Sequence, residues 1–287
     1  MSAASVTVLE TGPLVTVQDG GRPGQAALGI GRSGACDRAS YGLANRLVGN
    51  DEDAAVLEVT FGGLTLHADD ANPTALEVVS TGARCPGAPH NAPQRLLPGE
   101  KLSLGQPESG LRTYVAVRGG IDVNPVLGSR ATDVLSGLGP DPVSAGDRLP
   151  IGVPGDPMPG VGLAPVRDPE ADDVWVHVGP GPRQDWFDDD SWHRLISQRF
   201  TVSSDSNRVG IRLEGEPLTR VHDGELPSEG MVRGALQIPP AGTPVLFLAD
   251  HPITGGYPVI AYVDDADVDR CAQLRPGQGL HFTTARA

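Results

Sequence analysis

The 287-residue chain carries 22 basic and 36 acidic side chains, a formal charge of −14, and is 39% hydrophobic. That apolar fraction is enough to build a core and excludes a disordered chain, while the acidic balance repels nucleic-acid phosphate and anionic lipid and argues against both as partners. The 38 glycines and 27 prolines, nearly a quarter of the residues, exclude a bundle of long helices and favour short strands joined by many turns.

In chain order, apolar or alternating runs bounded by Gly, Pro or Asp predict strands over 6–9, 14–17, 55–59, 64–67, 75–79, 113–117, 174–178, 245–248 and 259–263. Three stretches predict helices. Residues 37–48 set Ser40, Leu43, Ala44 and Leu47 on one face and close at Gly49-Asn50. Residues 185–197 include Asp188, Asp189 and Asp190, which complement the positive end of a helix dipole. Residues 264–274 open with acids and stop before Pro276-Gly277. Pro150, Pro154, Pro157, Pro159, Pro165 and Pro169 recur with glycines between them and little that could pack. The expected division is an N-terminal β-barrel-like domain over 1–150, an extended linker over 151–173 and a C-terminal β-barrel over 174–287.

No apolar run reaches the ~20 residues of a membrane span, and no basic residue precedes Arg22 as the charged region of a signal peptide requires. Cys36, Cys85 and Cys271 are odd in number and form no CxxC, the pattern of reduced thiols in the cytoplasm. No HExxH, HxH or paired cysteine motif is present, so no metal site is expected on this chain. Lys101 is the only lysine and stands between Glu100 and Leu102, which excludes a Walker A loop and gives no site for biotin attachment.

Four strings carry chemistry-bearing residues. In Gln18-Asp19-Gly20-Gly21-Arg22-Pro23-Gly24 the glycines can turn N–H groups toward one anion, with Asp19 and Arg22 either contacting ligand or pinning a hairpin turn. Gly31-Arg32-Ser33-Gly34-Ala35-Cys36-Asp37 leads into the first helix, where Asp37 either caps the helix or borders an anion site. Ser206 to Gly215 interleaves Arg208 and Arg212 with apolar residues. On a strand these would share one face, aimed at a carboxylate or phosphate or simply solvated. Asp250-His251-Pro252-Ile253-Thr254-Gly255-Gly256-Tyr257-Pro258 offers a histidine able to move a proton, an aspartate to orient it, and backbone groups at Thr254, Gly255 and Gly256 for a substrate amide.

Together with LEVTFGG, RTYVAVRGGIDV, VLGSRATD, SEGMVRGALQIPPAG and QLRPGQGLHF, these strings occur in the same order in one family. It is variously called the allophanate hydrolase subunit 2, KipA or 5-oxoprolinase C-subunit family, and is often labelled biotin-dependent carboxyltransferase. The chain resembles it from about Val8 to Phe282. The resemblance implies a mainly β protein with two cyclophilin-like β-barrel domains and a few short helices. It also implies a homologous KipI-like B-subunit as partner and, in the 5-oxoprolinase branch, a LamB/YcsF-type A-subunit, with ATP and Mg2+ held by the complex.

From this resemblance the expected activity is that of the C-subunit of an ATP-dependent 5-oxoprolinase, opening the lactam of 5-oxoproline to glutamate. The alternatives are a carboxyltransferase or allophanate hydrolase component acting on urea-derived amides, and a KipA-like regulator that binds a KipI-like kinase inhibitor. The residues expected to matter are Asp37, Asp250 and His251 for catalysis. Asp19, Gly20, Gly21, Arg22, Asn45, Arg208, Arg212, Thr254, Gly255, Gly256 and Tyr257 are expected for substrate or anion binding.

Overall fold

Residues 56–59 and Arg112–Val117 are runs buried whichever way their side chains point, and a computed structural model places them inside a sheet covered on both faces. The structure describes residues 4–155, 157–222, 224 and 226–285. They form two compact units. The first comprises the described parts of Met1–Arg22, Ser33–Asp133 and Gly137–Pro169, and the second those of Pro23–Arg32, Val134–Ser136 and Glu170–Ala287.

The first unit contains β1 (Ser5–Glu10), β2 (Leu14–Gln18), α1 (Arg38–Val48), β3 (Val56–Thr60), β4 (Thr65–Ala68), β5 (Leu76–Gly82), β6 (Gln94–Leu96), β7 (Lys101–Ser103), β8 (Arg112–Val117) and β9 (Arg148–Pro150). Its strands pair antiparallel in two sheets, β7-β4-β1-β9 and β2-β3-β8-β5-β6. Val6, Val8 and Leu66 from one sheet meet Val15, Val17, Leu57, Val59, Val115 and Val117 from the other in a single core. The alternate residues Val56, Tyr114 and Ala116 point the opposite way and receive Tyr41, Ala44, Leu47 and Val48 of α1. The 3.6-residue period of the helix thus meets the two-residue period of the sheet. Gly49 adopts a left-handed φ of 65° and closes α1 as the sequence predicts. The proline-rich stretch is fastened to this unit by Ala164 N–H donating to Asn91 O and by His90 Nε2, 2.9 Å from Asp168.

The second unit contains β10 (Val174–Pro180), α2 (Asp189–Ser197), β11 (Phe200–Val202), β12 (Gly210–Glu214), β13 (Glu229–Gly230), β14 (Ala235–Gln237), β15 (Val245–Phe247), β16 (Thr254–Gly255), β17 (Val259–Val263), α3 (Asp265–Cys271) and β18 (Gly279–Thr283). Seven strands close a barrel in the order β10-β17-β14-β15-β12-β11-β18. Its interior is lined by residues such as Val176, Phe200, Ile211, Leu213, Leu236, Leu246 and Phe282, while the intervening Trp175 and Arg212 face outward and are exposed. The protein is therefore mainly β, in keeping with its glycine and proline content.

The helix predicted over 185–197 is shorter than expected. A single 3-10 turn at Gln184–Trp186 gives way to extended Phe187, which is buried and bridges to Arg220. The helix starts only after Asp188, whose side chain accepts from Ser191 N–H at 2.8 Å. Burying Phe187 and capping with Asp188 override the continuous pattern of the sequence. Among the described residues no helix is long and apolar enough to cross a membrane.

Candidate functional site

Within the first unit, the two glycine-rich strings come together. Gly34 (φ 92°) lies so close to the 19–21 backbone that a Cβ there would sit 2.9 Å from Gly21 N, and Ala35 N–H donates to Asp19 O at 3.1 Å. The Asp19 carboxylate accepts from Gly21 N–H (2.8 Å), Ser129 Oγ (2.6 Å) and Arg130 N–H (2.5 Å), so it organises the surrounding loops. Arg22 is 1% exposed; its Nε donates to Val126 O at 3.1 Å and its Nη2 to Ala131 O. The turn held by an Asp19–Arg22 pair is replaced by two separate anchors onto residues 126–131.

Asp37 is the N-cap of α1, accepting from Ser40 N–H at 2.9 Å and Ser40 Oγ at 2.6 Å. Its own N–H donates to Tyr114 Oη, which in turn donates to the buried Glu58 carboxylate at 2.8 Å; Cys36 N–H reaches the same carboxylate. Burial, then the Glu58 and Asp37 charges, push the Tyr114 phenol well up, so it stays a donor. Asn45 is fully buried, with Nδ2 on Ala54 O and Oδ1 on Asn50 Nδ2, and it shapes the turn after α1.

In the second unit Arg208 and Asp250 form a buried bidentate pair, Nε to Oδ2 at 2.9 Å and Nη2 to Oδ1 at 3.0 Å. Asp250 Oδ2 also accepts from Val134 N–H at 3.1 Å. His251 directs Nδ1 at Pro252 O, 2.8 Å away; donation there selects the tautomer whose Nε2 can accept a proton. Thr254 and Gly255 are strand β16, paired with Glu229 and Gly230. Glu229 is held by Arg183 through contacts of 2.9 and 3.1 Å, which keep its carboxyl below the usual range. Gln237 Nε2 donates to Tyr257 O at 3.2 Å and occupies the space beside Gly255, where a Cβ would come within 2.5 Å of it. Gly256 and the exposed Tyr257 line a groove of about 960 Å3 with Arg220, His222 and Ser228.

One expectation is corrected by these positions. Arg208 and Arg212 do not share a face: β12 starts at Gly210, so Arg208 precedes the alternation and turns inward to Asp250, while Arg212 stands exposed on the outer side. Asp250 accepts from the Arg208 guanidinium and from Val134 N–H. Gly20 lies against the Asp53 carboxylate rather than an open cleft. Gln18, Thr132, Glu58, Tyr114, Arg183, Glu229 and Gln237 were not singled out by sequence reasoning. Gln18 opens one of the glycine-rich strings and Glu229 lies in another matched string, but nothing local to either marks its partner.

Residues 28–284 match the family model described as carboxyltransferase domain, subdomain A and B. The chain belongs to this carboxyltransferase-domain family. Within the family it is 39% identical to the 5-oxoprolinase C-subunit of Escherichia coli strain K12 over 96% of this chain and 89% of that protein. It is 30% identical to the Haemophilus influenzae protein of the same name, and 30% identical to Lachancea kluyveri urea amidolyase, of which it covers 16%. Among solved structures, the Kluyveromyces lactis urea amidolyase superposes with a TM-score of 0.89 at 28% identity, over 98% of this chain and 19% of that one. A protein designated TTHA0988 gives 0.87 at 34% identity, over 99% of this chain and 56% of that one. In this carboxyltransferase-domain chain, Lys101 begins β7 opposite His67.

Proposed function

We propose that this chain is the C-type component of a heteromeric hydrolase that opens the lactam of 5-oxoproline to glutamate with ATP hydrolysis, working with a KipI-like B-type partner and a LamB/YcsF-type A-type partner. The observation that carries this reading is similarity to a 5-oxoprolinase C-subunit over nearly the whole of both chains. A planar lactam is a poor electrophile, and phosphorylation of its oxygen makes the ring carbon open to water. This chain's share of the work is recognition and proton handling. The Arg22 guanidinium supplies positive charge, the His251 imidazole can accept a proton at Nε2, and the β16 backbone at Thr254 and Gly255 offers an amide-sized edge.

The two arginines Arg208 and Arg212 do not form a shared phosphate cradle. Arg208 is matched by Asp250, and Arg212 stands exposed and apart from it. In this reading ATP and Mg2+ are held by the complex as a whole.

A second reading is carboxyl transfer to a urea-like amide, favoured by the family model and by the similarity to urea amidolyases. The complex co-expressed with its B- and A-type partners is assayed for glutamate. ATP-dependent release of glutamate from 5-oxoproline is expected. Turnover of urea only in the presence of a biotinylated carrier would replace this reading with the second.

A further inference from the structure

Arg22 is a buried cation whose two hydrogen-bond acceptors, Val126 O and Ala131 O, are neutral carbonyls. Its third nitrogen, Nη1, is buried without a hydrogen-bond partner. The nearest acid in sequence, Asp19, spends its two oxygens on Gly21, Ser129 and Arg130. Among the described residues no carboxylate forms an ion pair with Arg22; a desolvated guanidinium without one is costly, and its unused N–H groups add to that cost.

Among the other buried atoms of the same unit without a hydrogen-bond partner, two belong to residues docked on the same loop. Gln18 Oε1 is one; the Nε2 of that amide donates to Thr132 O at 2.9 Å and to Thr16 Oγ1 at 3.0 Å. Thr132 Oγ1 is the other. Arg22 and Gln18 are tethered to consecutive carbonyls, Ala131 and Thr132, so both side chains dock on the same stretch of backbone. Gly139 borders it, because a Cβ there would lie 2.7 Å from Arg22 Nη2. Buried polar groups of native proteins are nearly always satisfied by protein, water or ligand, so three such atoms on side chains docked to one backbone stretch ask for an occupant.

We infer that Arg22, Gln18 and Thr132 form a binding site for a small oxyanion that also carries a hydrogen-bond donor. The donor set dictates this class. Arg22 Nη1 can only donate and demands an anionic acceptor, Gln18 Oε1 can only accept and demands an N–H or O–H, and Thr132 Oγ1 serves either. Chloride satisfies the first requirement and not the second. Two sources share the required chemistry: hydrogen carbonate, with its hydroxyl beside two anionic oxygens, and 5-oxoproline, whose ring N–H adjoins its carboxylate. The enclosure of all three atoms favours the smaller.

The full chain is melted in sodium hydrogen carbonate, in 5-oxoproline and in chloride at equal ionic strength. The midpoint should rise by on the order of 5 °C at about 100 times the dissociation constant of the ion that binds. Whichever of the first two raises it identifies the source. The rise should vanish in Gln18→Glu, whose own carboxylate would pair with Arg22 and raise the midpoint in ligand-free buffer, and in Gln18→Leu, which removes the acceptor. Equal midpoints in all three salts, or an equal rise with chloride, would overturn the site and leave a buried water in its place. The hydrogen-carbonate arm is independent of the proposed activity. Binding without glutamate formation by the complex would remove the activity and keep the site, and the reverse result would do the opposite.

Discussion

Removing the Asp250 carboxylate should unsettle the second unit more than any single exposed substitution. Asp250 and Arg208 are 0% and 1% exposed, and their two contacts of 2.9 and 3.0 Å are charge-assisted and parallel. Truncating Asp250 to alanine strands a guanidinium in a dry interior, for which about 3–5 kcal/mol is typical. Val134 N–H loses its acceptor as well, adding about 1 kcal/mol. For a unit of this size roughly 3 °C is lost per kcal/mol, so the midpoint should fall by roughly 12–18 °C. Thermal melts by circular dichroism measure this directly. The double variant Arg208→Met, Asp250→Leu removes both charges and replaces them with apolar volume, and it should recover most of the loss. An Asp250→Ala midpoint within about 3 °C of the parent, or a double variant no better than the single, would refute the view that this pair is a matched structural element.

Four further outcomes can be measured. Asp37→Ala should cost about 1 kcal/mol by uncapping α1, read by chemical denaturation, and Asp37→Ser should cost less. Hydrogen bonds from Arg199, then from His281, hold the Asp173 carboxyl down at about 2 against an ordinary 3.8. The stability it confers is present above the ordinary value and is lost as pH falls toward 2, so the difference in midpoint between the parent and Asp173→Asn should shrink between about pH 4 and 2; a constant difference contradicts it. Burial pushes the Cys271 thiol up to about 12, and Cys36 and Cys85 are also buried, so a thiol reagent at about pH 8 should label none of the three until denaturant is added. Gly255→Ala should collide with Gln237 Nε2 and destabilise by about 1–3 kcal/mol, with Gln237→Ala in the same chain restoring part of the loss in the melt.

Much of the fold was legible because burial leaves a period in the sequence. α1 runs from Arg38 to Val48 with its cap at Asp37 and its stop at Gly49, one residue from expectation, and β17 spans the predicted residues. The strands that escaped notice are the short ones, Gln94–Leu96, Lys101–Ser103, Arg148–Pro150 and Phe200–Val202 among them. Three residues are too few to establish an alternation, and such strands exist because neighbouring strands offer unpaired backbone groups. Gly279–Thr283 begins with a glycine whose space is taken by the Asp173 carboxylate, a reason visible only once the chain has folded. At the candidate site, the residue types were legible and their partners were not. Arg208 and Asp250 are 42 positions apart, and Asp19 meets Ser129 and Arg130 across 110 or more.

The arginines in the glycine-rich strings show why ligand binding and loop anchoring read alike in sequence. A guanidinium is a rigid fork of five donors, and it answers a carboxylate, a phosphate or a pair of backbone carbonyls equally well. Glycines beside it let the backbone come close, whether the thing approached is a ligand or another loop. Arg208 resolves this choice with an internal carboxylate and is left neutral as a pair. Arg22 resolves it only in part, since two carbonyls satisfy two of its nitrogens and among the described residues no acid pairs with its charge. Two arginines from similar strings therefore do different physical work. The difference rests on whether an acid is folded in beside them, and it makes Arg22 the stronger candidate for meeting an anion from outside the chain.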